Sequence, residues 1–471
     1  MKRRDFVLST LMGGPLAMAF GSQSQRPLRA ATFEADVTPP IGTVLCHGNV
    51  APVREILSPL TARGLVLSTV TKPIVLCAVD WVGIGNETHD AWRTALAEAV
   101  GTTVDRVAVH TVHQHDTPGV DASTERILAR HGLSGAMFDV QFADVAIENA
   151  ARAARAAVTQ WQPVTHLGYG KAKVERVASN RRILGPDGRW ILQRQSRSTN
   201  PQAIAAPEGV IDPCLRLVSL WNDDRPVVSI TYYATHPQSY YGQGGVNWDF
   251  PGYARAARQT AVPDALHIHF NGAGGDVAAG KYNDGSPENR PILAARLERG
   301  MREAWQTMRK VPIGAGDVEW QVEPVQLPVR QSIDEASRLA TVQDAARKKR
   351  DRVFAARDLA WLRRMRSGHH LDLGCLRLGP VRILHMPGEL CIAYQLAAQA
   401  MCPKEFLCMA AYGDLGPGYI CSKIAYSQGG YETGFVSRVA PDVEETLMVA
   451  MRSLLERTNS SSPAIGEVEN E

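Results

Sequence analysis

Three histidines lie close together at residues 110–119, where the sequence is H-T-V-H-Q-H-D-T-P-G. The preceding residues, 105–109, form a short apolar run typical of a buried strand. Side chains alternate along an extended chain, so His113 and His115 are predicted to face the same way. Imidazoles placed in this way at a strand end suit a transition metal, zinc above all. The alternative is a set of ordinary polar loop histidines, and the motif alone leaves both interpretations open.

Polar side chains also follow two later apolar runs, where His236 and Glu389 occur. Two imidazoles and a carboxylate, with a fourth position open to water, form a common catalytic zinc set that suits amide or ester hydrolysis. Spacing alone does not rank the candidates, because His236 could be a hydrogen-bonded core histidine and Glu389 a helix cap. His267 and His269, on one face of a predicted strand, are alternative ligands.

The elements that must position these residues alternate between strands and helices. Helices are predicted at residues 88–100, 138–159, 252–260, 291–307, 332–365, 389–401 and 442–456. The longest begins at a capping box, Ser332-Ile-Asp-Glu335, and its basic stretch is interpreted as a solvated face. We expect a mixed α/β (α+β) fold in which mixed sheets flanked by helices carry the metal site at strand ends. The polar clusters are spread widely, which predicts a single large domain at residues 31–457.

The first thirty residues are predicted to be an export signal and linker. A twin arginine, Arg3-Arg4, precedes an apolar stretch that ends near Phe20, and Ala17-Met18-Ala19 offers a cleavage site. We interpret this pattern as a twin-arginine signal, which predicts a periplasmic or secreted protein; the alternative is a basic, disordered start before a short helix. No later segment has 18 uninterrupted apolar residues, so no transmembrane segment is expected.

The composition is that of a globular protein, with 471 residues of which 45% are apolar and 21% charged. Loss of residues 1–19 changes the formal charge from +3 to +1, so nothing favours nucleic acid, and a small-molecule, lipid or glycan substrate is expected. The eight cysteines contain no C-x-x-C pair, and Cys77 and Cys391 are predicted to be small core residues. The tail at 458–471 is predicted to be disordered.

Two other catalytic classes are excluded by particular residues. The stretch from Gly275 to Lys281 nearly matches a phosphate-binding loop, but Tyr282 replaces the magnesium-binding hydroxyl and Asp276 would repel phosphate. A serine hydrolase would need a G-x-S-x-G elbow, and the corresponding turn is G-G-D-V-A, without a serine.

Several motifs in the same order resemble the catalytic, N-terminal domain of neutral (non-lysosomal) ceramidases, which are zinc-dependent amidases. The resemblance extends from about residue 31 to residue 457. The motifs are A-D-V-T-P-P-I-G near the start, V-H-Q-H-D-T-P-G at 112–119, N-R at 180–181, T-H-P at 235–237, D-x-x-G-Y-A at 249–254, P-G-E at 387–389, and Y-I with Y-E twelve residues later.

The resemblance implies a role for each matching residue. It implies that four residues bind zinc, namely His113, His236, Glu389 and Tyr419. It implies that His115 is the acid/base or substrate-orienting residue, that Arg181 holds the scissile amide, and that Tyr431 lies near the reacting group. Asp276, in the matching G-D-V turn, is the remaining catalytic candidate, and His110 is expected to be structural.

Two departures from the family pattern shape the functional hypothesis. Ala278 stands where the family has the serine proposed as its nucleophile, so attack by zinc-activated water remains the expected mechanism. The chain also ends without the family's immunoglobulin-like domain, which weakens the case for ceramide as substrate. We therefore predict an exported zinc hydrolase of linear amide bonds. The alternatives are an esterase, a carbohydrate-directed hydrolase, or a non-catalytic binding protein.

Overall fold

The structure, a computed structural model, describes residues 27–456. The predicted export signal at residues 1–19 and the predicted tail at 458–471 lie outside the described residues. Within the described range, no helix combines the length and the hydropathy needed to cross a bilayer.

The strands are β1 (Arg29–Asp36), β2 (Glu55–Ile56), β3 (Thr61–Leu67), β4 (Ile74–Val79), β5 (Gly83–Ile84), β6 (Val107–Thr111), β7 (Gly119–Val120), β8 (Gln162–Pro163), β9 (His166–Lys173), β10 (Ser179–Asn180), β11 (Arg182–Leu184), β12 (Trp190–Gln193), β13 (Cys214–Asn222), β14 (Arg225–Tyr233), β15 (Gly245–Val246), β16 (Leu266–Asn271), β17 (Val277–Ala278), β18 (Arg309–Pro312), β19 (Val318–Val325), β20 (Leu371–Leu378), β21 (Val381–His385), β22 (Glu389–Leu390), β23 (Phe406–Ala410) and β24 (Tyr419–Ile420). The helices are α1 (Glu87–Val100), α2 (Ala122–Ala129), α3 (Val140–Ala157), α4 (Pro201–Ala205), α5 (Asp249–Ala261), α6 (Asn289–Gln306), α7 (Glu335–Gln343), α8 (Lys349–Arg366), α9 (Ile392–Met401), α10 (Lys423–Gln428) and α11 (Val443–Glu456).

Three sheets form the framework, with strand orders β6-β4-β3-β1-β8, β16-β14-β13-β9-β18 and β19-β20-β21-β23. Each sheet contains one parallel pair at or near its edge: β4 with β6, β14 with β16, and β21 with β23. The two strands of each pair are joined by a segment that contains a helix, namely α1, α5 and α9. Parallel neighbours require such a crossover, so each sheet is an antiparallel array with a βαβ unit at one side. This arrangement confirms the expected mixed α+β fold.

The apolar core is layered because the strands are buried on both faces. On β4, Val75, Cys77 and Val79 pack towards the helices of the first sheet, whereas Ile74, Leu76 and Ala78 point towards the strands of the other two sheets. The central cluster takes its side chains from all three sheets, and the helices cover the outer faces. Continuous apolar runs such as 74–79 are typical of strands covered on both sides. Cys77 is buried and unbonded, as predicted.

The prediction of one long helix at 332–365 is wrong, because the segment forms two packed helices. Helix α7 begins at Asp334, whose carboxylate accepts a hydrogen bond from the Ser337 amide, and not at the predicted capping box. The chain then turns before α8, and the buried Arg352 donates to the Val342 carbonyl at 2.7 Å. A guanidinium at a helix C-terminus satisfies a carbonyl that the helix leaves free. Part of the basic stretch is therefore structural.

Two further elements differ from the sequence prediction. Glu389 lies in the short strand β22, and helix α9 begins only at Ile392, so Glu389 is not a helix cap. Strands β19 and β20, which were not predicted, pair over their full lengths and complete the third sheet. Their sequences mix charged and apolar residues, so their apolar pattern was too weak to distinguish them from loops.

The buried His269 should make the free energy of unfolding depend on pH. Burial, with the nearby Arg255 charge, lowers the pKa of His269 to about 3, and its ring contacts the Thr231 hydroxyl at 2.9 Å. Between this pKa and the ordinary value the unfolded chain binds a proton that the folded chain does not, so stability falls as the pH falls below about 6.5. We expect His269→Gln to reduce the loss of unfolding free energy between about pH 7 and about pH 4.5 by roughly 2–3 kcal/mol. Urea unfolding at both pH values measures it.

The exposed His370 provides the matched control. His370→Gln should leave the pH dependence of the unfolding free energy unchanged. An equal pH dependence in the wild-type chain and in His269→Gln would contradict the account.

Candidate metal centre

The carboxyl ends of the three parallel pairs meet at one place. The segment after β23 bridges the sheets, because the Thr111 amide donates to the Tyr412 carbonyl and the Ala411 amide donates to the Asn271 carbonyl, both at 2.9 Å. The Gly275 amide donates to the Leu390 carbonyl at 2.8 Å. These backbone bonds join the loops after β6, β16, β21 and β23. They bring residues that are hundreds of positions apart in sequence to a single site.

His113 reaches this site through an unusual backbone conformation. Strand β6 ends at Thr111, and His113 has a φ of +76°, in the left-handed region that non-glycine residues rarely adopt. Its amide donates to the Trp81 carbonyl at 2.9 Å, which helps to hold the conformation. The rings of His113 and His115 are 5.0 Å apart and nearly perpendicular. The two histidines do share a site, but the alternation of an extended strand is not the reason.

The protons of His113 and His236 are placed by backbone carbonyls. His113 Nδ1 lies 2.5 Å from the Val82 carbonyl oxygen, and His236 Nδ1 lies 2.7 Å from the Gly274 carbonyl oxygen. A carbonyl can only accept a hydrogen bond, so both Nδ1 atoms carry the proton. In the neutral rings both Nε2 atoms then present lone pairs. Burial lowers the pKa of His236 to about 4, which keeps this ring neutral near pH 7.

Glu389 completes a set of electron-pair donors. Its Oε2 lies 3.3 Å from His113 Nε2 and 3.2 Å from His236 Nε2. A carboxylate oxygen and two imidazole lone pairs at this separation repel one another unless a cation lies between them. The residues present therefore fit a metal ion.

Tyr419 and Arg181 close another side of the cluster. The Tyr419 hydroxyl lies 3.1 Å from His236 Nε2 and accepts a hydrogen bond from an Arg181 terminal nitrogen at 3.1 Å. Glu389 and Tyr419 are register partners in the parallel pair β22–β24. Arg181 also forms an ion pair at 3.2 Å with Glu432, which is fully buried. The pairing compensates much of the cost of burying the guanidinium.

His115 has the opposite proton placement. Its Nδ1 lies 2.8 Å from the Gln238 side-chain nitrogen, which is a donor, so Nδ1 accepts and the proton of the neutral ring is on Nε2. Burial lowers the pKa of His115 well below its usual value. Ring nitrogens of His113, His115 and His236 all lie within 4.8 Å of one another and could together hold a metal ion. The tautomer makes His115 the least suited of the three as a ligand.

The other two catalytic candidates occupy different positions. Tyr431 is partly buried, its ring lies 5.6 Å from that of Tyr419, and the Arg181 guanidinium lies 5.3 Å over it. Burial raises the pKa of Tyr431 to about 12, so its hydroxyl keeps its proton at neutral pH. Asp276 is fully engaged, since its two oxygens accept from the Ile392 amide at 2.7 Å and from Asn180 at 3.1 Å. These bonds tie the start of α9 to β10, and Asp276 supports the loop that carries Arg181.

Three other histidines, His110, His267 and His269, lie outside the cluster. His267 and His269 point into the packing around β16, and His267 Nε2 lies 3.3 Å from the Val262 carbonyl oxygen. Neither reaches the cluster, so their interpretation as alternative ligands is wrong. His110 contacts the Ala411 carbonyl at 2.9 Å and His385 at 3.0 Å, which is the structural placement expected.

The structure adds residues that the sequence did not indicate. Tyr412, with a φ of +61°, has its ring 4.5 Å from that of His113 and its hydroxyl 3.4 Å from His236 Nδ1. Gln238 sets the tautomer of His115, and Glu432 neutralises Arg181. Cys391 is buried, as predicted, but is bonded to Cys421 rather than free. The only sequence signal for a role of Tyr412 at the site is its position after a strand and before Gly413.

The chain thus combines a mixed α+β fold with a cluster at strand ends that could bind a metal ion. Two solved structures are similar over 92% of this chain: a ceramidase complexed with C2 (TM-score 0.67, 76% of that chain covered) and the neutral ceramidase from Pseudomonas aeruginosa (TM-score 0.66, 75% covered). Sequence identity is 16% in both cases. The chain thus has a neutral-ceramidase-like fold, which confirms the resemblance found in the sequence.

Comparisons of sequence alone do not extend this similarity of fold. No protein-family model matches the chain. A bifunctional glutamine synthetase adenylyltransferase/adenylyl-removing enzyme of Nocardia farcinica (strain IFM 10152) is 32% identical over 133 residues. That alignment takes in 27% of this chain and only 13% of the relative, so it has no bearing on function.

The disulfide should contribute measurably to the free energy of unfolding. It joins Cys391 and Cys421, each two residues beyond Glu389 and Tyr419, across a sequence separation of 30. Closing a loop of this length in the unfolded chain is worth roughly 3–4 kcal/mol. We expect the double variant Cys391→Ala/Cys421→Ala to lose about this much unfolding free energy in urea. Cys402→Ala, at a partly buried free cysteine, is the control for cysteine loss.

Reduction of the wild-type protein should lower the unfolding free energy by a similar amount. If reduction and the double substitution both leave the urea midpoint unchanged, the bridge makes no such contribution.

Proposed function

We propose that this protein is a zinc-dependent hydrolase of linear N-acyl amide bonds. The observation that carries the proposal is that His113 Nε2 and His236 Nε2 lie 3.3 Å and 3.2 Å from Glu389 Oε2, with both imidazole protons directed away. Tyr419 is the fourth group at hydrogen-bonding distance. The nitrogen and oxygen donor set suits zinc, and the ceramidase-like fold supports an amide as the bond cleaved. Export by the twin-arginine route is part of the proposal and rests on the sequence alone.

The chain's own residues would orient the substrate and stabilise charge that develops on it. Zinc, when bound, supplies Lewis acidity that activates water and polarises a carbonyl. The His115 Nε2–H faces the cluster, 3.4 Å from His113 Nε2, and is placed to donate a hydrogen bond to the substrate. Arg181 is a fixed, buried cation beside Tyr419 and can stabilise negative charge on the amide oxygen.

The accessible side of the cluster is where substrate would enter. His113, His236, Glu389 and Tyr419 are buried, whereas His115 and Tyr431 are partly exposed. The protonated Tyr431 hydroxyl has no partner within the described part of the chain and is available to donate a hydrogen bond. Ala278 lies in β17, next to His236 in an isolated bridge, and supplies no nucleophile. Attack by water is the mechanism that these residues support.

The first test concerns metal and activity together. We expect purified protein to contain about one zinc per chain and to hydrolyse N-acyl substrates from a panel of N-acyl lipids, N-acyl amino acids and acylated sugars. His236→Ala and Glu389→Ala should lose both the metal, by elemental analysis, and turnover. His370→Ala, at an exposed histidine outside the cluster, should retain both. A zinc-free His113→Ala/His236→Ala double variant with full activity would exclude the proposal.

A second test separates the role of His115 from that of the ligands. Because its proton is on Nε2, we expect His115→Asn to keep the metal and to lower kcat by about 10²–10³-fold, the usual cost of losing one positioned hydrogen-bond donor to the reacting group. Zinc content and kcat are measured on the same preparation. Loss of metal in His115→Asn would instead make His115 a ligand.

A further inference from the structure

One arginine near the cluster has no partner of its own. Arg357, on α8, is partly buried, and within residues 27–456 its guanidinium makes no hydrogen bond or ion pair. Its guanidinium lies 6.0 Å from the centre of the Phe354 ring. Burial and the neighbouring Arg438 charge lower the pKa of Arg357 to about 10, which remains well above neutrality. Arg357 is thus a charged, partly buried group without a hydrogen-bonded anion.

The carboxylates around Arg357 are all engaged elsewhere. Asp121 accepts from the Thr124 amide and hydroxyl and from Asn86. Asp358 forms ion pairs with Arg338 at 2.8 Å and Arg438 at 3.0 Å. Glu389 belongs to the metal cluster. The charge on each of these acids acts on Arg357, yet none bonds to it.

A strip of aromatic rings connects Arg357 to the reacting centre. The aromatic strip consists of Phe354, Phe435 and Tyr431, with ring separations of 5.3 Å and 6.1 Å, and Tyr431 leads on to Tyr419. Phe435 is 58% exposed, so its ring presents apolar surface to solvent. The strip therefore gives an apolar path from solvent to the cluster.

Two more unpaired guanidinium groups border this path. Arg350 lies two helical turns before Arg357 and is 5.5 Å over the same Phe354 ring. Arg197 lies 6.0 Å over Tyr241, whose ring is 5.2 Å from that of His115. Within the described residues, neither arginine has an acidic partner. The approach to the cluster is therefore both apolar and positively charged.

This combination matches an amphiphilic anion. A neutral N-acyl substrate would cover Arg357 without pairing it and would add to the cost of burying its charge. A carboxylate can accept two parallel hydrogen bonds from a guanidinium, which is a strong and directional pairing. An acyl chain suits the exposed rings of the strip.

We propose that the substrate carries a carboxylate, as an N-acyl amino acid does, and that Arg357 binds this carboxylate. The inference rests on the proposed amide hydrolysis and specifies its substrate class. Arg357 is a specificity-determining residue in this account, and Arg181 remains the residue at the amide.

The test compares a matched pair of substrates. N-dodecanoylglycine and N-dodecanoylethanolamine share the acyl chain and the amide and differ in the carboxylate. We expect the zinc-loaded wild-type protein to prefer the glycine conjugate at least tenfold in kcat/KM. Arg357→Gln should reduce this ratio by tenfold or more, and Arg357→Lys should retain part of it. Arg363→Gln, an exposed arginine on the same helix, should leave the ratio unchanged.

A binding measurement decides the inference even if neither amide is cleaved. Chelator-treated protein should bind N-dodecanoylglycine in calorimetry, with a Kd at least tenfold weaker in Arg357→Gln. Equal binding, or an unchanged kcat/KM ratio in Arg357→Gln, would overturn the inference. A wild-type preference for the ethanolamide would overturn it too, while leaving the amidase proposal standing. Hydrolysis of neither substrate, with binding as expected, would count against the amidase proposal alone.

Discussion

The repulsion among three electron-pair donors is the constraint on which the site depends. Carbonyl oxygens fix the protons of His113 and His236 on Nδ1, so both Nε2 lone pairs are directed at the carboxylate of Glu389. The side-chain donors near these lone pairs are the Tyr419 hydroxyl and an Arg181 nitrogen, at 3.1 Å and 3.5 Å from His236 Nε2, and the His115 Nε2–H, 3.4 Å from His113 Nε2. A bound cation would turn the repulsion into coordination, and the carbonyls would then orient the ligands. The same logic gives His115 a different role, since Gln238 places its proton on the other nitrogen.

The fold explains how such a site is assembled. Each of the three sheets contributes one parallel pair joined through a helix, and the carboxyl ends of all three pairs converge. Backbone bonds among the loops then hold the loops at fixed separations. One pair supplies His113, a second supplies His236, and the third leads to Glu389. Short additional pairings refine the positions, as β22 with β24 does for Glu389 and Tyr419.

Sequence patterns predicted the framework well and the local geometry poorly. Runs such as 74–79 were identifiable as strands because they are apolar throughout, and the ordered motifs allowed the ceramidase-like fold to be recognised. The left-handed conformations of His113 and Tyr412 could not be predicted, because they are imposed by contacts with distant segments. The same holds for the tautomers, which depend on Val82, Gly274 and Gln238. Asp276 was chosen from its motif, but its hydrogen bonds to the Ile392 amide and Asn180 only become visible in three dimensions.

The central claim is that one metal ion is held by His113, His236, Glu389 and Tyr419, with His115 outside the coordination shell. Anomalous diffraction from a crystal of the purified protein, collected on both sides of the zinc absorption edge, tests it directly. The account predicts a single anomalous peak about 2.0–2.1 Å from Nε2 of His113 and of His236, with Glu389 as an oxygen ligand. A peak coordinated by His115 in place of Glu389, or no peak at this cluster in catalytically active protein, would contradict it.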